Sequence, residues 1–110
     1  MEQERMGTLY TLGIWYVKPG KEDEFYGEWK KFAEWTKAHH PGARTAILLE
    51  DLVEKTRFVS LGPWDNSGSI DAWRNSPEFK EVVTRFKQLC FDIQPNTMRC
   101  VAVVGEKSGG

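Results

Sequence analysis

Residues 8–20, TLYTLGIWYVKPG, decide the fold because an aromatic and β-branched run is followed directly by turn residues. Such residues favour a β-strand, and Lys18-Pro19-Gly20 predicts the turn that ends it. Both faces of this strand carry bulky side chains, as Tyr10 on one face and Trp15 on the other illustrate. A strand with one wet face should alternate apolar and polar residues. The sequence therefore predicts a first strand at residues 8–17 with both faces covered.

The remaining chain alternates between helical and extended patterns. Apolar residues recur at helical spacing after the first turn, and carboxylates fall where a helix begins, which suits the helix dipole. Pro77 after Ser76 favours a new helix capped by Ser76. The predicted elements are a helix at 21–38, strands at 43–51 and 56–61, a loop at 62–68, a helical turn around Trp73 with Ser69 as its N-cap, a helix after Ser76, a turn at 94–96 and a strand at 97–104.

The order of these elements is β-α-β-β-α-β. Right-handed crossovers place both helices on one face of a four-stranded antiparallel sheet, so the predicted class is α+β with a ferredoxin-like topology. One domain is expected over residues 8–104, with loose termini at 1–7 and 105–110.

The other sheet face has no helix to cover it. Residues 46–49, AILL, also lack alternation, so a symmetric partner is the expected cover. We predict a homodimer whose sheets pack face to face as a dimeric α+β barrel. Trp15 is the candidate for the dimer face, and Trp35, which lies off the apolar stripe of the first helix, is a candidate for contact with the partner.

Composition excludes several functions. The chain has 110 residues and a net charge of −1, with 40% hydrophobic and 28% charged residues. Nucleic-acid binding normally needs a basic excess, and no apolar run approaches the ~20 residues that span a bilayer. The charged residues 1–6 do not resemble a signal peptide. We expect no nucleic-acid or membrane partner and a cytoplasmic location.

The sequence also lacks recognisable cofactor motifs. Cys90 and Cys100 are expected to be reduced, small and buried, although a redox pair stays open if the fold joins them. No cluster of His, Cys or carboxylate residues has metal-ligand spacing, and neither a P-loop nor a GxGxxG motif occurs. We predict no metal and no cofactor.

Three stretches carry a family resemblance. Residues 18–25 (KPGKEDEF), Trp64 at a strand end, and residues 72–79 (AWRNSPEF) together resemble the antibiotic biosynthesis monooxygenase-like family. The resemblance implies a dimeric α+β barrel. The same fold hosts oxygenases, isomerases, haem degraders and proteins without known activity.

Two branches of that family can be compared residue by residue. Haem-degrading members use a strand-one Asn, a Trp and an iron-ligating His. The Trp resembles Trp73, but Gly13 and Val83 occupy the other two positions, so the resemblance does not imply haem chemistry. Quinone-forming oxygenases of the actinorhodin type use a Trp, an Asn and a Tyr without a cofactor. Trp64 matches the Trp, while Ser60 and Ile70 replace the others.

Three candidate site residues follow from this comparison, and two more, Arg99 and His40, follow from the chemistry of their side chains. Trp64, Trp73 and Ser60 are expected to bind a small aromatic or polyketide-like substrate, and Arg99 to steady its phenolate. His40 is the candidate base, with a water as the other choice. The alternative is a non-catalytic ligand-binding or structural barrel with tryptophans that fill the core. An open cavity reached by Trp64 and Trp73 favours the enzyme, and a filled interior favours the barrel.

Overall fold

The computed structural model describes residues 6–105. Its elements in chain order are β1 (Leu9–Val17), α1 (Glu22–His39), β2 (Ile47–Glu50), β3 (Arg57–Trp64), α2 (Ser67–Arg74), α3 (Pro77–Leu89) and β4 (Cys90–Arg99). The strands form one antiparallel sheet in the order β2-β3-β1-β4, which confirms the predicted α+β ferredoxin-like class. Most of the two expected loose termini, residues 1–5 and 106–110, lies outside the described residues.

The second helical region begins earlier than predicted. Ser69 was expected to be the N-cap, but Asn66 takes that role, and its side chain accepts the Ser69 backbone N–H at 2.8 Å. An Asn side chain caps a helix end as well as Ser does. The predicted cap of the following helix is confirmed, because the Ser76 hydroxyl accepts from Phe79 N at 3.1 Å and Pro77 opens α3.

The predicted second strand and the loop at 62–68 also need correction. Regular pairing in β2 covers Ile47–Glu50 only, and Ala43 forms an isolated bridge with Trp64. The third strand does not stop at residue 61, since β3 continues to Trp64. A Cβ on Gly62 would lie 2.6 Å from the Thr45 carbonyl oxygen. The segment before β2 passes so close to position 62 that a side chain there would clash, so this position of β3 suits glycine.

The last strand was placed wrongly. It was predicted at 97–104 after a turn at 94–96, yet β4 starts at Cys90 and includes Pro95, which lies opposite Gly13. Proline is compatible with an edge strand, because its missing N–H can face away from the ladder. The order of the sheet puts β4 at the edge, so the proline is a poor turn signal here.

The core lies between the sheet and the helices. Its most deeply buried side chains are Val17, Phe25, Ile70 and Phe86. Trp15 was predicted at the dimer face but is 8% exposed in this core, with its ring 5.2 Å from Phe25 and 4.7 Å from Phe86. Because both faces of β1 are bulky, the sequence did not reveal which face the helices cover.

The opposite sheet face is mostly apolar over β2, β3 and β1, whereas β4 places Gln94 and Asn96 on it opposite Ile14 and Leu12. Ile47, Leu49 and Met98 are 46%, 51% and 45% exposed there. The cross-strand pairs Leu12–Leu61 and Ile14–Val59 continue this face across the two central strands. We call this surface the open sheet face. Among the described helices, none is long and apolar enough to cross a membrane.

The two cysteines lie at opposite ends of β4. Cys90 is buried beside Val17, and Cys100 follows the strand, where its backbone N–H donates to Thr8. The fold therefore does not join them into a redox pair. Cys100 is partly buried, not fully buried as expected. Burial raises the pKa of the Cys90 thiol to about 11.

Candidate ligand-binding cavity

Two adjoining cavities lie between the helices and the sheet. The larger has a volume of about 330 Å³ and reaches toward α3 and β4. The smaller, about 80 Å³, lies between α1 and the end of β3. Their common wall residues are Thr11, Trp15, Phe32, Ser60 and Trp73. Because they share these walls, we treat them as one site and refer to the cavity pair.

The sheet supplies a tryptophan–serine hydrogen bond to the common wall. The indole N–H of Trp15 donates to the Ser60 hydroxyl at 2.9 Å. Both residues point from neighbouring strands toward the helices. Gly13 leaves room for this bond, since a Cβ there would lie 3.0 Å from Ser60 Oγ and 3.1 Å from Trp15 Nε1.

Two further tryptophans donate hydrogen bonds to hydroxyl groups. Trp64 Nε1 donates to Thr11 Oγ1 at 3.0 Å, and Trp73 Nε1 donates to Thr36 Oγ1 at 2.9 Å. The Trp64 and Trp73 ring centroids lie 4.9 Å apart. An indole N–H is a donor only, whereas a hydroxyl both accepts and donates. The hydroxyl protons of Thr11, Thr36 and Ser60 are therefore the donors available at these positions.

The charged side chains that line the cavity pair are all basic. Lys37 and Arg44 line the smaller cavity, where Arg44 is paired with Asp65 at 3.2 Å, and Arg74 and Lys87 line the larger one. Within residues 6–105, neither lining includes Asp, Glu, His, Cys or Tyr. Burial lowers the pKa of Arg74, and Asp71 raises it by a smaller amount. The site therefore offers positive charge and hydroxyl donors to a ligand, and no side chain that is a base at neutral pH.

The structure brings together three of the five predicted site residues. Trp73 and Ser60 line both cavities, and Trp64 lines the smaller one. His40 caps the end of α1 against Trp35, with their ring centroids 5.2 Å apart, and does not line either cavity. Arg99 is exposed at the end of β4, opposite Leu9, and is likewise outside both linings.

Sequence reasoning missed Thr11 and Arg74. Thr11 could have been found from strand alternation, because it shares the face of Trp15 in β1. Arg74 adjoins the singled-out Trp73, but no pattern in the sequence shows that its side chain reaches β4.

The side chains do not fit haem. Gly13, Trp73 and Val83 line the same larger cavity. Neither Gly13 nor Val83 can ligate iron, and the usual axial ligands His, Cys, Met and Tyr are absent from both linings as described. Over residues 6–105 there is also no group of His, Cys, Asp and Glu that could hold a metal ion.

The sequence pattern of the family described as antibiotic biosynthesis monooxygenase matches residues 10–85. The chain belongs to this family. The matched part runs from β1 into α3 and includes most of the residues that line the cavity pair. No curated protein sequence matches the chain.

Solved structures share the fold at low sequence identity. SnoaB, a cofactor-independent oxygenase from Streptomyces nogalater, is 17% identical with a TM-score of 0.80, over 91% of this chain and 99% of SnoaB. A conserved protein from Methanosarcina mazei Go1 is 24% identical with a TM-score of 0.77, over 86% of this chain and 94% of that protein. A putative antibiotic biosynthesis monooxygenase from Deinococcus radiodurans is 16% identical with a TM-score of 0.79, over 91% and 99%.

Proposed function

We propose that this protein is a cofactor-independent monooxygenase that oxidises a small aromatic or polyketide-like substrate with O₂ in the cavity pair. The observation that carries the proposal is the larger cavity itself, about 330 Å³ of largely apolar space against Trp15 and Trp73. Ligand pockets of about 300–1,000 Å³ with few polar groups are typical of small-molecule sites. Membership of the monooxygenase family supports the reaction type.

The chemistry is one in which the substrate supplies the electrons. An activated CH₂ group loses a proton, its carbanion reduces O₂, and the products are a carbonyl group and water. One oxygen atom enters the product and the other leaves as water. The protein binds the ring, orients it toward O₂ and excludes bulk solvent, which is where proximity and orientation contribute most to rate.

The geometry favours a water over His40 as the proton acceptor, because His40 is absent from both linings. Positive charge near a phenol or an enol stabilises the deprotonated form. Arg74 and Lys87 at the larger cavity would lower the pKa of such a substrate, so that water suffices as a base.

Oxygen uptake tests the proposal. Purified protein treated with a chelator is mixed with anthrone, and the rate is compared with that of heat-denatured protein, since anthrones also oxidise slowly on their own. We expect enzyme-dependent uptake and anthraquinone that carries one atom from ¹⁸O₂. Trp64→Phe should weaken binding, while the matched control Trp35→Phe, outside both linings, should not.

A non-catalytic ligand-binding barrel is the second candidate. One observation favours it: the indole N–H groups of Trp15, Trp64 and Trp73 all donate to hydroxyls of the protein itself. Quenching of tryptophan fluorescence by anthrones and other phenols, without oxygen uptake from any of them, would support this candidate and reject the oxygenase.

We also propose that the chain forms a homodimer through the open sheet face. Burial of exposed apolar surface stabilises association by about 25 cal/mol per Å² before the costs of association. Leu49 and Ile47 are about half exposed on that face, and a twofold partner would cover both. We also propose that the protein is located in the cytoplasm.

A further inference from the structure

Arg74 has no carboxylate partner in the described chain although it is partly buried. Its Nη1 donates to Thr97 Oγ1, and its Nη2 donates to the Asn96 carbonyl oxygen at 3.1 Å. Both acceptors are neutral. Among residues 6–105, no Asp or Glu oxygen lies within ion-pair distance of Arg74, and Asp71 acts on it only as a more distant charge.

The two bonds to β4 hold the guanidinium in place at the larger cavity. Arg74 ends α2, and its acceptors lie on the edge strand that forms the other side of this cavity. A guanidinium has more N–H donors than these two bonds use. A positioned cation of this kind offers paired N–H donors to an anionic oxygen.

The apolar surroundings of Arg74 strengthen its attraction for an anionic oxygen. Apolar rings and aliphatic side chains form most of the wall, including Phe79, Val83, Phe86 and Ile93, and the other charged residue in the lining is Lys87. A cation that is partly removed from water interacts more strongly with an opposite charge. Burial also lowers the pKa of Arg74.

We propose that Arg74 is the anchor for an anionic oxygen of the ligand, so that the larger cavity selects aromatic acids over neutral aromatics of the same shape. This assignment rests on the proposed function for its reaction, and it adds the substrate class: an aromatic ring system that carries a carboxylate or a phenolate. Arg74 binds and positions the ligand, and the ring lies against Trp73.

Binding of a matched ligand pair tests the anchor. 2-Naphthoate and the neutral 2-naphthamide have nearly the same shape, and both are titrated by quenching of tryptophan fluorescence. We expect the wild-type protein to prefer naphthoate. Arg74→Gln should lower the affinity for naphthoate about tenfold to a hundredfold, as expected for loss of a hydrogen-bonded charge. The same variant should change the affinity for naphthamide by less than about threefold. Arg74→Lys, which keeps the charge, should restore part of the naphthoate affinity.

A surface arginine provides the control. Arg85 pairs with Glu28 at 3.4 Å and lines neither cavity, so Arg85→Gln should bind both ligands as the wild type does. Melting temperatures verify that each variant is folded. The proposal is overturned if wild-type protein does not bind naphthoate or does not prefer it. It is also overturned if Arg74→Gln lowers the affinity for both ligands equally, or if Arg85→Gln lowers the affinity for naphthoate as much as Arg74→Gln does.

The anchor and the oxygenase can fail separately. Selective binding of naphthoate through Arg74, without oxygen uptake from any anthrone, keeps the anchor and rejects the oxygenase. Oxygen uptake that is unchanged in Arg74→Gln, together with equal binding of the two naphthalene ligands, keeps the oxygenase and rejects the anchor.

Discussion

Trp15 and Ser60 are joined by a hydrogen bond of 2.9 Å between the indole N–H and the serine hydroxyl, across the pair of central strands. The bond fixes the orientation of the largest side chain in β1 at the wall that the two cavities share. Because the indole is 8% exposed, its N–H has little access to water and depends on this acceptor.

Ser60→Ala should therefore destabilise the fold. Removing the hydroxyl leaves the Trp15 N–H without its acceptor, at an expected cost of about 1–3 kcal/mol in the free energy of unfolding. Urea denaturation followed by tryptophan fluorescence measures this. Ser67→Ala, at an exposed position in the first turn of α2, should change stability by less than about 0.5 kcal/mol. Equal stability of Ser60→Ala and the wild type would show that the bond contributes nothing.

Gly13→Ala should reduce ligand affinity. The new Cβ would lie 3.0 Å from Ser60 Oγ and 3.1 Å from Trp15 Nε1, so these side chains must shift and the larger cavity narrows. Titration with anthrone measures the effect. Gly27→Ala is the matched control, because a Cβ there meets nothing within 4 Å, and alanine should stabilise α1 by roughly 1 kcal/mol. Unchanged anthrone binding by Gly13→Ala would contradict the assignment of this wall.

Cys90 should resist alkylation in the folded protein. Its thiol has a pKa of about 11 and is buried, whereas Cys100 is partly buried. At pH 8, iodoacetamide should modify Cys100 first and Cys90 only in urea, as mass spectrometry of peptides would show. Rapid modification of Cys90 in the native protein would contradict the prediction that its thiol is buried.

The same thiol gives a pH dependence of stability. Its folded pKa is raised above the ordinary value of 9.0, so the folded state binds more protons between about pH 9 and pH 11. The contribution of this thiol to the free energy of unfolding is fully present below about pH 9 and is lost as the pH rises toward 11. Comparison of the wild type with Cys90→Ala across the window isolates the effect, and the wild type should lose more stability.

Leu49→Glu should disrupt the proposed homodimer. Leu49 is 51% exposed on the open sheet face, and a carboxylate there would be buried without a partner in the dimer. Leu52→Glu is the control, since Leu52 is 73% exposed beyond the end of β2. Analytical ultracentrifugation should find a dimer for the wild type and Leu52→Glu, and a monomer for Leu49→Glu. A wild-type monomer at micromolar concentration would reject the dimer.

The sequence predicted the order and type of the elements because periodicity and caps are local signals. Ser76 before Pro77 marked the start of α3, as the structure confirms. Local signals were insufficient where the environment decides the outcome. Pro95 after Gln94 and before Asn96 was interpreted as a turn, but proline is also tolerated in an edge strand, and whether β4 is an edge depends on the whole topology. The covered face of β1 was equally undetermined, which is why Trp15 was misplaced.

The site was predictable to a similar extent. Trp64, Trp73 and Ser60 were found because they occupy positions that the family resemblance marks, and all three line the cavity pair. Arg74 was not found, because its role depends on a long side chain that crosses from α2 to the carbonyl of Asn96. Such a reach depends on tertiary distances that no sequence spacing encodes.

The short helix α2 is separately capped at its start by Asn66, and Ser76 caps the helix that follows. Both Trp73 and Arg74 lie between these caps. Because separate caps fix both ends of this segment, substitutions at Trp73 and Arg74 would change the lining of the larger cavity while the ends of α2 stay in place. Ile70 in the same helix is 2% exposed and belongs to the core, so a library that varies ligand recognition would be confined to these two positions of α2.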